Sequence, residues 1–333
     1  MTRVAVVGAG AWGTVLADLL ARKGDEVRLW AHEPEVVDSV NRTHENPLFL
    51  PGAAVAPTVR AVGEVREAVR DAEVVVSAVP SHVVGAVMAR AAGGVSRGAL
   101  VVSVSKGLDP ERLTTLSCRL REVLGGPEIA VLSGPSFAAE VYAGQPTAVV
   151  AAAREHAVAQ RVQRIFATPR LRVYSHTDVI GVELGGALKN VIALAAGILQ
   201  GLGLGHNTRA ALLTRGLAEI TRLGMALGAE ETTFAGLAGI GDLMLTAHGP
   251  LSRNLSLGIA LGRGQRLEEV LAERRSVAEG VNTARAAVTL GARHGVELPI
   301  AEQVSAVLFG GLSPGAAVEA LMQRGLKAEH APR

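Results

Sequence analysis

Val4-Ala5-Val6-Val7-Gly8-Ala9-Gly10-Ala11-Trp12-Gly13-Thr14 stands almost at the beginning of the chain. Four apolar residues, three of them β-branched, read as a buried strand. Glycines follow at the spacing Gly8-x-Gly10-x-x-Gly13, and an amphipathic run to Arg22 reads as a helix ending at Gly24. Each glycine has its own physical reason. Gly8 permits the tight turn, Gly10 lets backbone approach a pyrophosphate, and Gly13 lets helix and strand pack closely, which aims the helix N-terminus at the phosphates. The competing reading is a glycine-rich turn without a ligand. The position directly after a strand and before a helix favours a dinucleotide site.

Beyond this stretch the first half alternates short β-branched runs with helical patterns, which predicts an α/β domain with a doubly wound, Rossmann-type parallel sheet. Strands are expected at Val4–Val7, Val27–Trp30, Val74–Ala78, Leu100–Val104, Ile129–Leu132, Ala148–Ala151 and Arg172–Tyr174. Helices are expected near Gly13–Arg22, Val62–Asp71, Val83–Ala92, Leu113–Leu124 and Ala157–Phe166. Pro47, Pro51 and Pro57 mark a loop-like excursion after the second strand. From Val179 onward helical periodicity takes over, with helices near Val179–Gln200, Thr208–Leu227, Ser252–Leu261, Leu267–Glu273, Val281–His294, Ile300–Phe309 and Pro314–Arg324. The expected organisation is a dinucleotide-binding domain over 1–178 followed by an all-α substrate and catalytic domain over 179–333.

Composition removes several function classes. A net charge of +2 with mixed signs, and only 3% aromatic residues, argue against a nucleic-acid groove. The single cysteine, Cys118, excludes an intramolecular disulfide and fits a reducing, cytoplasmic compartment; its place in a helical run reads as buried. No signal-peptide pattern opens the chain. The apolar stretch from Val179 to Gly205 contains Glu183, Lys189, Asn190 and seven glycines, so it reads as a core helix and no membrane insertion is expected. No metal site is expected. Of the 33 Lys and Arg residues only Lys23, Lys106, Lys189 and Lys327 are lysines. A lysine in an apolar setting therefore asks for a chemical reason, and Lys106 and Lys189 are in such settings.

In open α/β sheets, ligands lie beyond the carboxyl ends of the strands. The second strand ends Leu29-Trp30-Ala31-His32-Glu33. The missing terminal acid and a potentially cationic His32 favour NADP(H), while Glu33 keeps NAD(H) possible and His32 also reads as a surface histidine. Val74–Ala78 leads into Val79-Pro80-Ser81-His82, and Leu100–Val104 into Ser105-Lys106-Gly107. Ile129–Leu132 leads into Ser133-Gly134-Pro135-Ser136-Phe137, with Pro135 suited to a first helical turn. Lys189 lies in a helix apolar almost all round, where desolvation lowers an amine's pKa and prepares it as a proton acceptor; a lysine snorkelling at a domain edge is the alternative. Gly185 and Gly186, one turn earlier, leave room for another backbone or a ligand. Asp242, within an apolar segment, needs a cation or donors, or else caps a helix. Ser252-Arg253-Asn254 opens a helix whose N-terminus suits a phosphate, the alternative being a solvated Arg253.

With these residues in place the chain closely resembles the bacterial NAD(P)-dependent glycerol-3-phosphate dehydrogenases over essentially its whole length. The matching signatures are Gly8 to Gly13, Ser105 to Leu108, Ser133 to Ala138, Gly185 to Asn190, Gly239 to Leu243 and Ser252 to Asn254. The resemblance implies that Lys189 accepts the substrate's hydroxyl proton, and that Lys106, Gly134, Ser136, Asp242, Ser252, Arg253 and Asn254 contact glycerol 3-phosphate. It also implies that Trp12, His32, Lys106, Ala138, Arg253, Val277 and Glu279 contact the cofactor. Lys106 would support charge on the reacting oxygen, and Asp242 and Asn190 would hold Lys189. Ala11 stands where the family usually has serine, which weakens one pyrophosphate contact. The family's members are commonly cytoplasmic homodimers that supply glycerol phosphate for phospholipids. Two other readings are a related two-domain reductase of hydroxy or sugar acids and a non-catalytic NAD(P)H sensor, which would leave Lys106, Lys189 and Asp242 without purpose.

Overall fold

The computed structural model describes residues 1–272, 278–326, 328 and 329. Eight strands form one sheet: β1 (Arg3–Val7), β2 (Glu26–Trp30), β3 (Val59–Val62), β4 (Val74–Ser77), β5 (Leu100–Ser103), β6 (Glu128–Ser133), β7 (Thr147–Ala152) and β8 (Leu171–His176). Their order is β8-β7-β6-β5-β4-β1-β2-β3. The sequence reverses direction between β1 and β4, and the crevice outside their carboxyl ends is where such sheets bind ligands. Helices α1 (Ala11–Arg22), α2 (Pro34–Thr43), α3 (Val65–Val69), α4 (Val84–Ala91), α5 (Leu116–Leu124), α6 (Ala138–Tyr142) and α7 (His156–Phe166) accompany the sheet. Alternation along β1 divides the core: Val4 and Val6 join Leu16, Val36 and Phe166 on one face. Ala5 and Val7 join Val65, Met88 and Leu116 on the other.

Three details differ from the sequence reading. The proline-marked excursion contains α2, a short ribbon pairing Glu45–Asn46 with Leu50–Ala54, and β3. Val62 closes β3 instead of opening a helix, and α3 is a five-residue piece. Most neighbouring strands are parallel, but β7 runs antiparallel to β6. Between them lies only the short α6, which packs beside α1 around Val15 and Leu50. It does not cover a sheet face, so the chain returns from the end at which it left.

The remaining helices are α8 (Val179–Gly201), α9 (His206–Ala226), α10 (Glu231–Phe234), α11 (Asp242–His248), α12 (Arg253–Gly262), α13 (Leu267–Ala272), α14 (Glu279–His294), α15 (Pro299–Phe309) and α16 (Pro314–Met322). Asp178 caps α8 through Gly181 N at 2.8 Å and also accepts from Thr233 Oγ1 at 2.6 Å. Helix α8 is long and apolar enough by composition to cross a membrane, yet 94% of its most apolar window is buried inside the protein. Gly197 and Gly201 of α8 face Gly258 and Gly262 of α12, and a Cβ at any of the four would collide with the opposing backbone. Two helices approach this closely only where side chains are absent from the contact. Gly262 therefore belongs to a packing seam, and Gly264, at φ 90°, follows it as the left-handed glycine.

Sheet and helices meet at several points. Leu108, two residues after Lys106, is buried in the helical core beside Leu184 and Leu188. Glu183 of α8 accepts from Ser117 N at 2.8 Å and Ser117 Oγ at 2.5 Å, in the first turn of α5, and burial raises the pKa of its carboxyl. Cys118 is exposed, not buried. Leu116, Ser117 and Leu120 fill the inner face of α5, which turns the next position outward. Lys23 is structural. Its Nζ donates to the carbonyls of Arg164, Ile165 and Ala167 at the end of α7, at 3.1, 2.6 and 2.8 Å.

Candidate active site

The glycine loop is built by close approach. Gly8 has φ 118°, and a Cβ there would lie 2.8 Å from the Ala78 carbonyl group. A Cβ on Gly13 would strike the Gly8 carbonyl oxygen. Gly10, the residue before α1, faces open space, and no side chain caps the helix. First-turn amides beside open room suit a pyrophosphate, so the residues present fit a dinucleotide. Trp12 and Ala138 of α6 both pack against the cluster of Val15, Leu50 and Ala53. His32 is exposed beyond β2, its ring centroid 6.3 Å from that of Trp30. Val277 lies outside the described residues. Glu279, at the start of α14, accepts from Ser81 N at 3.0 Å and from Ser81 Oγ, so it links the helical half to the turn before α4.

Across the crevice two lysines share one carboxylate. Lys189 Nζ donates to Asp242 Oδ1 at 2.5 Å and to Thr246 Oγ1 at 2.7 Å. Lys106 Nζ donates to Asp242 Oδ2 at 2.7 Å and to the Gly134 carbonyl at 2.8 Å, with Ser136 Oγ at 3.5 Å. The Lys189 side chain is 6% exposed and that of Lys106 20%, so Lys106 forms the wetter lip. Burial pushes the Lys189 amine down to about 7; Asp242 opposes that and Lys106 adds to it. One carboxylate cannot balance two ammonium ions out of water, which favours the neutral form of the buried Lys189 amine. Asp242 is not a helix cap. A π-helical turn over Leu237–Gly241 precedes it, and such turns often re-aim functional side chains. Gly185 makes room for that turn, since a Cβ there would lie 2.5 Å from the Ala238 carbonyl oxygen. Gly186 faces Ser133 Oγ instead.

The third component is the start of α12. Ser252 caps it, accepting from Leu255 N at 3.1 Å. Arg253 is exposed in the first turn, beside the crevice that Glu279 borders. Asn254 is buried; its Nδ2 donates to Asn190 Oδ1 and its Oδ1 accepts from Gly280 N, both at 3.0 Å. The α8–α12 glycine seam brings this corner next to Asn190. Asn190 itself was expected to hold Lys189. It holds Asn254 instead, because consecutive helical side chains diverge by about 100°. Pro135 lies three residues before α6 and forms part of a turn, not the helix's first turn.

The regions that supply these groups match known proteins throughout. Residues 3–159 match the family model described as NAD-dependent glycerol-3-phosphate dehydrogenase N-terminus, and residues 178–319 match that of the C-terminus. The glycerol-3-phosphate dehydrogenase [NAD(P)+] of Geobacter sulfurreducens is 54% identical over 331 residues, and that of Citrifermentans bemidjiense 53% over 330, each covering 98% of both chains. The crystal structure of glycerol-3-phosphate dehydrogenase from Coxiella burnetii aligns with TM-score 0.93 at 37% identity, over 97% of this chain and 99% of that one. The chain belongs to the NAD-dependent glycerol-3-phosphate dehydrogenase family.

That membership sets aside the hydroxy-acid or sugar-acid reductase and the non-catalytic sensor. In this dehydrogenase the structure brings Lys106, Gly134, Ser136, Lys189 and Asp242 into one cluster, with Ser252, Arg253, Asn254 and Asn190 adjoining it. Sequence reasoning gave Thr246 no role. The signal was present: Thr246 is four residues after Asp242 on a helix, which puts both on one face. The Ser81–Glu279 and Asn254–Gly280 contacts carried no such local signal.

Proposed function

We propose that this dehydrogenase interconverts sn-glycerol 3-phosphate and dihydroxyacetone phosphate with Lys189 as the proton-transfer residue. The reversible oxidation at a CH–OH carbon with NAD(P) is the activity of the family to which the chain belongs. The observation that carries the assignment of the base is the Lys189–Asp242–Lys106 cluster, in which one buried amine has a pKa near neutrality. When bound, the nicotinamide supplies or accepts the hydride at the substrate's C2. Lys189 takes the hydroxyl proton in oxidation and returns it in reduction. Lys106 stabilises charge on the reacting oxygen, and Asp242 and Thr246 hold the Lys189 amine in position. Arg253 and the first turn of α12 hold the phosphate, a remote handle that orients the reacting carbon.

His32 at the end of β2, where an acid would favour NAD, supports NADP(H) as the preferred cofactor, with NAD(H) also used. The family resemblance supports a cytoplasmic homodimer that supplies glycerol phosphate for phospholipid synthesis. The direct test is oxidation of NADPH and NADH by the purified protein with dihydroxyacetone phosphate. Turnover faster with NADPH is expected, and no turnover with either would remove the activity. In the same assay Arg253→Ala is expected to raise the KM for dihydroxyacetone phosphate by about tenfold or more, as loss of a charge-assisted hydrogen bond does. An unchanged KM removes Arg253 from the phosphate site.

A further inference from the structure

We propose that Gly280 is a positioning residue for the substrate site: its backbone N–H determines which end of the Asn254 amide faces the phosphate corner. This role rests on the reading that the start of α12 binds the phosphate. A carboxamide has an oxygen end and an NH2 end of nearly equal shape, so packing alone does not choose between them. A partner that can only donate does. Gly280 N is such a partner, and it lies 3.0 Å from Asn254 Oδ1.

The consequence travels along the cluster. With its oxygen turned to Gly280, Asn254 presents its NH2 group to Asn190, whose Oδ1 accepts at 3.0 Å. Asn190 is thereby oriented as well, its own NH2 pointing back to the Gly186 carbonyl at 3.4 Å, a long and weak contact. Each NH2 carries two hydrogens, and Asn254 uses one of them on Asn190. The second is the donor that the proposal assigns to the phosphate corner, since Asn254 follows Arg253 in the first turn of α12. A flipped amide would present a carbonyl oxygen to a phosphate and repel it.

The position also requires glycine. A Cβ at residue 280 would lie 2.7 Å from each of three atoms: the Asn190 carbonyl oxygen, Asn254 Oδ1 and Leu194 Cδ1. The neighbouring Glu279 reaches Ser81 on the sheet side. The first turn of α14 thus touches the cofactor half with one residue and the substrate half with the next.

The test compares Gly280→Ala, Asn254→Ala and the double variant, reading kcat, KM for dihydroxyacetone phosphate, Kd for NADPH and Tm. Gly280→Ala keeps the N–H, but its Cβ would push Asn254 Oδ1 off that donor, so it is expected to raise KM about tenfold or more while the NADPH Kd stays within about twofold. Added to Asn254→Ala it is expected to cost less than about threefold further, since both act through one amide. An unaltered KM in Gly280→Ala overturns the proposal, as does full multiplication of the two losses or a parallel loss of NADPH binding. If Gly280→Ala does not fold, Asn254→Asp serves instead. It keeps the acceptor for Gly280 but has no NH2, so its KM should rise at least as far as that of Asn254→Ala at a similar Tm; a parental KM overturns the proposal. Arg253→Ala run alongside separates the two levels. If its KM is unchanged the phosphate reading itself fails, and if it rises while Gly280→Ala is silent only the role of Gly280 fails.

Discussion

Lys189→Ala is expected to lower turnover by about 10²–10⁴-fold in both directions while the protein still binds the dinucleotide. The loss follows from removing an amine that is both buried and held at near-neutral pKa. The sign of the accompanying pH dependence is fixed by which form each direction needs. Oxidation of glycerol 3-phosphate needs the neutral amine, so kcat should rise with pH and level off above about 7. Reduction of dihydroxyacetone phosphate needs the ammonium, so kcat should fall as pH rises through about 7. In the alanine variant the residual rate should lose this inflection. Steady-state rates across the neutral range in both directions, with cofactor binding followed by fluorescence, make the check. A fully active variant would remove Lys189 from the chemistry.

Asp242→Asn should have the next largest effect, because it removes the carboxylate shared by two lysines while preserving shape. Breaking a buried pair by removing one partner costs about 3–5 kcal/mol when the remaining charge is trapped. Here Lys189 has an escape, since it can lose its proton. A lysine whose folded pKa is lowered below its unfolded value binds fewer protons in the folded state, so stability rises with pH between those two values. The parental amine is itself neutral above about 7, so the Tm deficit of the variant should be greatest at low pH, shrink as pH approaches 7 and stay level above it. Loss of Asp242 also removes the group that holds the Lys189 pKa up, so the inflection in kcat should move to lower pH. A drop in kcat of about 10²-fold or more is expected, because Asp242 also aims the lysine. An inflection that stays in place would show that Asp242 does not tune Lys189.

Much of this molecule is written in short-range patterns. The glycine loop, the alternating strands and the apolar helix around Lys189 each span a few turns at most, and their physics is local: a turn that needs no Cβ, a pleat with two buried faces, an amine denied water. The same holds for Ser252 as a cap and for Arg253 and Asn254 behind it. Where the pattern was too short the reading failed. β3 is four residues containing an arginine, and α2 begins at a proline inside a segment that reads as loop.

Other features arise only when distant segments meet. The antiparallel turn of β7 depends on where α6 finds its packing partners. Cys118 is exposed because its neighbours on α5 take the inner face. Lys106 and Asp242 are 136 residues apart in sequence, Lys189 and Asp242 53, and Ser81 and Glu279 198. Each side chain alone signals that a buried polar group needs a partner, but the partner's identity depends on the glycine seam between α8 and α12 and on the docking of Leu108 into the helical core. The orientation of Asn254 depends on a backbone N–H of α14, a group every non-proline residue carries and no side-chain pattern reveals. Local chemistry can state what a residue needs; closeness in three dimensions determines which group meets that need, because charge and hydrogen bonding act over a few ångströms regardless of distance along the chain.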